Sequence, residues 1–385
     1  MLDFQFVNPT KIIFGKNSVD KLGEEVSNYG KRALLVTGQS SVKASGLYDR
    51  AVSLMKDKGI EIHDLTNIRA NPLLSDCERG VEICKKNNID VIVAVGGGSV
   101  LDTAKAISVG ALDDGDLWDF FINKRTVQKA LPVISVMTVA ATGSEYDGIS
   151  VVRNERLHKK FGLVDVHIYP KVSLLDPQLT YTVSPRYTAY GALDIISHVL
   201  ESYIDGQDSP LLQARFVEGL ITTVMESVET VLENPEDYEA RAYLMWASSL
   251  ACCDLFAVGT GGGTIAAHMV ECEIGALYDT PHGAGLSVIL PAVMRYRLEK
   301  YLPTTARFAE KIMKVERKWH MSDTDIAIEG IEAFRKWLKK VGNPITLKEL
   351  GVKKEDLENI AERIASNDYS PDKETALGIL NTYYE

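Results

Sequence analysis

The chain has 385 residues, too many for one ordinary hydrophobic core, so two domains or one large α/β unit are expected. Its 42 Lys and Arg against 53 Asp and Glu give a net charge of -11, which offers nucleic-acid phosphates no general attraction and excludes nucleic acid as an expected partner. No apolar run reaches the roughly 18 residues of a membrane helix, MLDFQFVNPTKIIFG lacks a signal-peptide pattern, and Cys77, Cys84, Cys252, Cys253 and Cys272 lack C-x-x-C spacing. The expectation is a cytoplasmic protein with no membrane association, no disulfide framework and no zinc knuckle.

In chain order, RALLVTG (32–38) reads as a strand, YDRAVSLMKDKG (48–59) as a helix, IEIHDL (60–65) as a strand and CERGVEICKKNN (77–88) as a helix. DVIVAVGGG (90–98) is a buried strand running into a glycine turn, and LPVISVMT (131–138) and KVSLLDP (171–177) are further strands. Strands separated by helices of this size imply a parallel sheet with crossover helices. From SPRYTAYGALDIISHVLESYI onward the strand-like runs stop, and amphipathic helices are expected over 209–233, 237–256 and 324–342. Pro185 suits the first turn of a helix, so the predicted boundary separates an α/β domain (1–183) from a helical domain (184–385).

VIVAVGGGSVLDTAK puts Gly96, Gly97 and Gly98 after a buried strand and before a helix-like segment. Glycine lets backbone come close to a pyrophosphate, and Ser99 with the free amides of the helix start can donate to it. The text fits neither G-x-G-x-x-G nor the Walker phosphate loop, and a purely structural tight turn is the alternative reading. TVAATGSE (138–145) also follows a strand and offers the hydroxyls of Thr138, Thr142 and Ser144. Ligands of parallel sheets collect at the carboxyl ends of strands, so both loops point to a dinucleotide. RANPLLS (69–75) follows another strand, and its Asn71 is either a cofactor contact or ordinary Asn-Pro turn chemistry.

In ALDIISHVLESY, Asp194 and His198 stand four apart, which on a helix puts both on one face. A carboxylate among aliphatic residues is costly unless compensated, either by a neighbouring donor such as His198 or by a cation. Among seven histidines, His198, His268 and His282 sit among small or aliphatic residues. One carboxylate with three imidazoles suits Fe(II) or Zn(II), and a polar core network is the alternative. Cys272, four residues after His268, borders this set.

With these residues assembled, the chain resembles the iron-containing, metal-dependent alcohol dehydrogenases, in their butanol dehydrogenase and aldehyde reductase branch. The blocks NPTKIIFG, GGGSVLDTAK, TVAATGSE, VSLLDPQLTYTVSPR, GALDIISHVLESY and GGGTIAAHMVECEIGALYDTPHGAG carry the resemblance across nearly the whole chain. It implies a Rossmann-like dinucleotide-binding domain followed by an all-helical domain, the fold shared with dehydroquinate synthase, and a homodimer. It assigns metal ligation to Asp194, His198, His268 and His282, through which the catalysis would run, with Fe(2+) preferred and Zn(2+) the alternative.

The resemblance gives Gly97, Gly98 and Ser99 to the pyrophosphate, Asp102 to the nicotinamide end, and Thr138, Thr142, Lys160 and Leu179 to cofactor contacts. Many relatives carry a second histidine where Cys272 stands, so a proton relay here would use solvent, a ribose hydroxyl or a water chain. NAD-preferring relatives can place an acidic residue after the strand LLVT. This chain has Gly38, Gln39, Ser40 and Ser41, followed by Lys43, a set with hydrogen-bond donors and a positive charge, so NADP is expected over NAD. The reaction implied is reversible hydride transfer between a nicotinamide and the carbon of a small primary alcohol or aldehyde such as butanol. A metal-dependent polyol dehydrogenase, a sugar-phosphate lyase and a non-enzymatic nucleotide sensor are the competing readings.

Overall fold

The computed structural model describes residues 1–205, 210–261, 266–367 and 370–385. Ser209, where one helix is predicted to start, and residues 262–265 of the GGGTIAAH block lie outside the described residues. Two compact units divide the chain: Val7–Val183, and Ser184–Glu385 together with Met1–Phe6.

The first unit is α/β. Its strands are β1 (Lys11–Phe14), β2 (Arg32–Gly38), β3 (Glu61–Ile68), β4 (Val91–Gly96), β5 (Val133–Met137), β6 (Ile149–Asn154), β7 (Lys159–Val164) and β8 (Val172–Leu175). Six form one parallel sheet in the order β1-β8-β5-β4-β2-β3, and β6 and β7 form a separate antiparallel pair. Every residue of β4, β5 and β8 is buried, which is why these strands read as unbroken apolar runs rather than alternating ones. Leu35, Val93, Val95, Ile134 and Leu174 enter one core cluster with Leu47, Ala51 and Met55 of helix Leu47–Lys56. Helices Leu74–Asn87 and Gly98–Gly110 pack together and complete the layering.

Two local outcomes differ from the sequence reading. The glycine turn is shorter than expected, because Gly96 ends β4 and Gly98 already begins its helix, with Gly97 as the extended residue between them. The β6-β7 hairpin was not expected. Only alternate residues of β6 are buried and β7 has one buried residue, so neither presents the apolar run by which strands are recognised.

The second unit is helical, and its described residues contain no strand. Its helices include Pro185–Asp205, Leu211–Glu233, Tyr238–Ala251, Ala267–Tyr278, His282–Tyr296 and Asp323–Lys340. The helix predicted over 237–256 stops at Ala251: Cys252 departs from helical geometry (ψ 1°) and Asp254 is left-handed (φ 64°). Helix Asp323–Lys340 starts on a capping box in which the Ser322 side chain accepts from the Asp325 amide and Asp325 accepts from the Ser322 amide. At the N-terminus, the Leu2 amide donates to the Gly259 carbonyl at 3.0 Å.

Candidate metal centre and dinucleotide loops

In the helical unit, Asp194 and His198 lie on helix Pro185–Asp205, His268 lies in the first turn of Ala267–Tyr278, and His282 is the first residue of His282–Tyr296. Glycine in PHGAG makes the meeting of these helices possible. A Cβ on Gly283 would lie 2.2 Å from the Tyr190 carbonyl oxygen, and one on Gly285 would lie 2.5 Å from Cγ of Glu271. Only hydrogen at those positions lets His282 approach Asp194 and Glu271 so closely.

The side chains converge. Asp194, His268 and His282 each present a ligand atom, and these atoms all lie within 4.8 Å of one another. His282 Nε2 is 3.6 Å from Asp194 Oδ1. His198 stands beside this trio, its Nε2 3.8 Å from Asp194 Oδ1 and its ring stacked on His268 at a centroid distance of 4.9 Å. It falls outside the set in which every donor is mutually close, so the four expected residues comprise three convergent groups and one neighbour. Cys272 is half-buried one turn beyond His268 on the same helix.

Two carboxylates that the sequence reading passed over orient the imidazoles. Glu201 bonds Nδ1 of His268 and also accepts from the His268 amide at 3.1 Å, while Glu271 bonds Nδ1 of His282. An ionised carboxylate can only accept, so Nδ1 of each ring carries the proton and Nε2 is left for the interior. Periodicity held a signal for both residues: Glu201 is seven after Asp194, on the same helical face, and Glu271 is three after His268.

Asp194, Glu201 and Glu271 are 3%, 1% and 0% exposed, so three buried acidic groups crowd behind half-buried imidazoles. Burial lowers the His268 pKa, but the charge and hydrogen bond of Glu201, then Asp194 and Glu271, outweigh it and leave the pKa above the ordinary histidine value. Asp194 Oδ1 and His268 Nε2 are buried without a hydrogen-bond partner. A divalent cation fits this donor set: it would satisfy both atoms, take the place of the second imidazole proton and offset the acidic field.

In the α/β unit, the loops after β4 and β5 touch. A Cβ on Gly98 would meet Thr142 Oγ1 at 2.4 Å, and the Thr138 amide donates to the Gly96 carbonyl at 3.0 Å. Gly97 precedes the helix and Ser99 is in its first turn, where the Ser99 carbonyl accepts from Thr103 at 2.8 Å. Lys160, on β7, donates to Asn71 Oδ1 at 3.3 Å, so the unexpected hairpin brings two of the expected residues together. Asp102 points into the protein, accepting from Ser144 Oγ at 2.8 Å and the Val151 amide at 3.2 Å. Burial pushes its carboxyl up to about 6, against the pull of Lys105 and with help from Asp147.

Lys105 gives no sequence signal, because lysine is rarely fully buried. Its ammonium is fully buried and reaches Ser144 O at 2.7 Å, Ser144 Oγ at 2.9 Å, Asp147 Oδ1 at 2.6 Å, Asp147 O at 3.0 Å and Ile149 O at 2.8 Å. This one charge ties the end of the TVAATGSE loop to helix Gly98–Gly110. At the end of β2, Gly38 is half-buried and Ser40, Ser41 and Lys43 are exposed, with the Lys43 ammonium 5.2 Å from the Tyr48 ring centre. Leu179 packs against the core cluster of the sheet rather than standing free at its edge.

Comparison with known proteins places the chain in a family. Residues 9–177 match the family model described as iron-containing alcohol dehydrogenase, and residues 188–380 match the C-terminal model of the Fe-containing alcohol dehydrogenase family. The NADH-dependent butanol dehydrogenase A of Clostridium acetobutylicum is 38% identical over 95% of this chain and 94% of its own. The NADPH-dependent aldehyde reductase YqhD of Escherichia coli is 30% identical over 91% of this chain and 90% of its own. The crystal structure of NADH-dependent butanol dehydrogenase A from Thermotoga maritima superposes with a TM-score of 0.95 at 40% identity, covering 100% of this chain and 99% of that one. The chain belongs to the iron-containing alcohol dehydrogenase family, in its butanol dehydrogenase-like branch.

Proposed function

We propose that this protein interconverts small primary alcohols, such as butanol, with their aldehydes using NADP(H) or NAD(H), and that Asp194, His198, His268 and His282 hold one divalent ion for the reaction. The observation that carries this reading is the convergence of Asp194, His268 and His282, two of whose inward atoms are buried without a partner. Imidazole and carboxylate donors suit Fe(II) first by family and Zn(II) as the alternative. When bound, such an ion supplies Lewis acidity to an alcohol or carbonyl oxygen.

The remaining tasks fall to the chain. Glu201 and Glu271 fix the imidazole planes and keep Nε2 turned inward. Gly97, Gly98 and Ser99 offer backbone and hydroxyl donors to a pyrophosphate at the start of their helix. Thr138, Thr142, Asn71 and Lys160 serve the nicotinamide half, a reading supported by the contact between the two loops and by the Lys160–Asn71 hydrogen bond. Named relatives use NADH in one case and NADPH in another. For this chain we assign NADP(H) as the preferred cofactor, because positions 38–43 carry no carboxylate to repel a 2'-phosphate.

The test is a panel of straight-chain aldehydes with NADPH and with NADH, run on protein whose metal has been quantified and again after chelation. Chelation is expected to abolish turnover while cofactor binding persists, and a matched ion should restore it. Full turnover by demonstrably metal-free protein would overturn the reading.

A further inference from the structure

A cavity of about 600 Å3 opens in the α/β unit beside β3 and the residue following β2, and Gln39, Asp64, Arg69, Asp76 and Arg79 are among its lining residues. In the sheet, β2 lies beside β4, and β3 lies outside β2. The loop after β5 is on the opposite side of β4. A dinucleotide with its pyrophosphate at the turn after β4 and its nicotinamide half at the loop after β5 therefore carries its adenosine toward this cavity.

The charged groups of the cavity are unequally committed. Arg79 pairs with Asp76 at 2.9 Å, and Asp64 accepts from the Tyr48 hydroxyl at 2.9 Å. Lys43 lies over the Tyr48 ring, outside the set of lining residues. Arg69 follows directly after β3, is exposed, and has no hydrogen-bond or ion-pair partner among the described residues. A guanidinium without a carboxylate is a planar fork of donors ready for a phosphate, which it can take with two parallel hydrogen bonds.

We propose that Arg69 is the residue that sets cofactor specificity, receiving the 2'-phosphate of NADP(H) at the adenosine end of the site. This rests on the dinucleotide reading above and adds to it a residue outside the 38–43 segment. The Gly38, Ser40 and Ser41 donors are neutral, whereas Arg69 supplies the full charge that distinguishes a phosphate from a hydroxyl.

The experiment is a fluorescence titration of NADPH and NADH into the full-length protein and its Arg69→Gln and Arg69→Lys variants, with 2',5'-ADP as a competing probe that lacks the nicotinamide. Loss of one charge-assisted contact raises the NADPH Kd about 10- to 100-fold. NADH is expected to shift by no more than about twofold, so the preference ratio falls at least about fivefold, with Arg69→Lys in between. The 2',5'-ADP affinity should fall in parallel with that of NADPH. Equal shifts for both dinucleotides, or none, would overturn the role of Arg69 while leaving the site intact. A parent protein that binds neither dinucleotide would overturn the dinucleotide reading itself.

Discussion

Replacing Lys105 with Met would remove the buried ammonium that holds the turn from Ser144 to Ile149. The methionine keeps most of the aliphatic stem, so the loss is electrostatic rather than a cavity. Among the described residues Asp147, 4% exposed, would keep only the Ile149 amide as a hydrogen-bond partner, at 2.8 Å, and the carbonyls of Ser144, Asp147 and Ile149 would each lose a donor. Breaking a buried ion pair from one side typically costs about 3–5 kcal/mol, because the surviving charge stays desolvated. For a unit the size of Val7–Val183 that corresponds to a fall in melting temperature of roughly 6–20 °C.

Urea unfolding followed by circular dichroism would give the stability change, with an NADPH titration on the folded variant as a second readout. Adding Asp147→Asn removes the stranded charge while keeping an acceptor for the Ile149 amide, so the double variant should recover part of the loss. A single variant that loses less than about 1 kcal/mol, or a double variant no better than the single, would refute the idea that a buried charge organises this loop.

Glu201→Gln and Glu271→Gln should each weaken divalent-ion affinity about 10- to 100-fold in a chelator competition, because the imidazoles lose a charged acceptor; unchanged affinity would remove them as orienting groups. Gly98→Ala forces a methyl against Thr142 and should cost about 1–3 kcal/mol in urea, with Thr142→Ala relieving most of it; a denaturation midpoint equal to the parent's would show that the two loops do not touch. Asp102 makes stability depend on pH. Its folded pKa of about 6 lies above the unfolded value near 3.9, so its contribution is full below pH 4 and is lost as pH rises through 6. The stability difference between parent and Asp102→Asn should therefore change by at most about 3 kcal/mol across that window, and a pH-independent difference would contradict it.

What could be read in the sequence follows from how strongly each element is buried. VIVAVG, VISVM and VSLL were legible as strands because both faces are covered, and the helical half was legible from its amphipathic period. The β6-β7 pair was not, because half-exposed strands of mixed chemistry lack either signal. The helix predicted to 256 ends at Ala251, since apolar Leu255 and Phe256 continue the pattern through a backbone turn that Asp254 makes in the left-handed region.

At the metal centre, histidines stand out among aliphatic neighbours, whereas Glu201 and Glu271 look like ordinary surface glutamates until the helix faces are known. Lys105 was hidden for the same reason: lysine is rarely fully buried, and only its set of five acceptors explains why it is. Arg69 gave no signal as a neighbour of an Asn-Pro turn. Its meaning depends on strand order, which brings the end of β3 next to that of β2.

The most direct measurement is an anomalous difference map from crystals of the iron-loaded protein, collected above and below the iron edge. One peak is expected within bonding distance, about 2.0–2.3 Å, of Asp194 and of Nε2 of His268 and His282, with His198 turned in to complete the set. No peak among these side chains, or one bound elsewhere, would contradict that expectation.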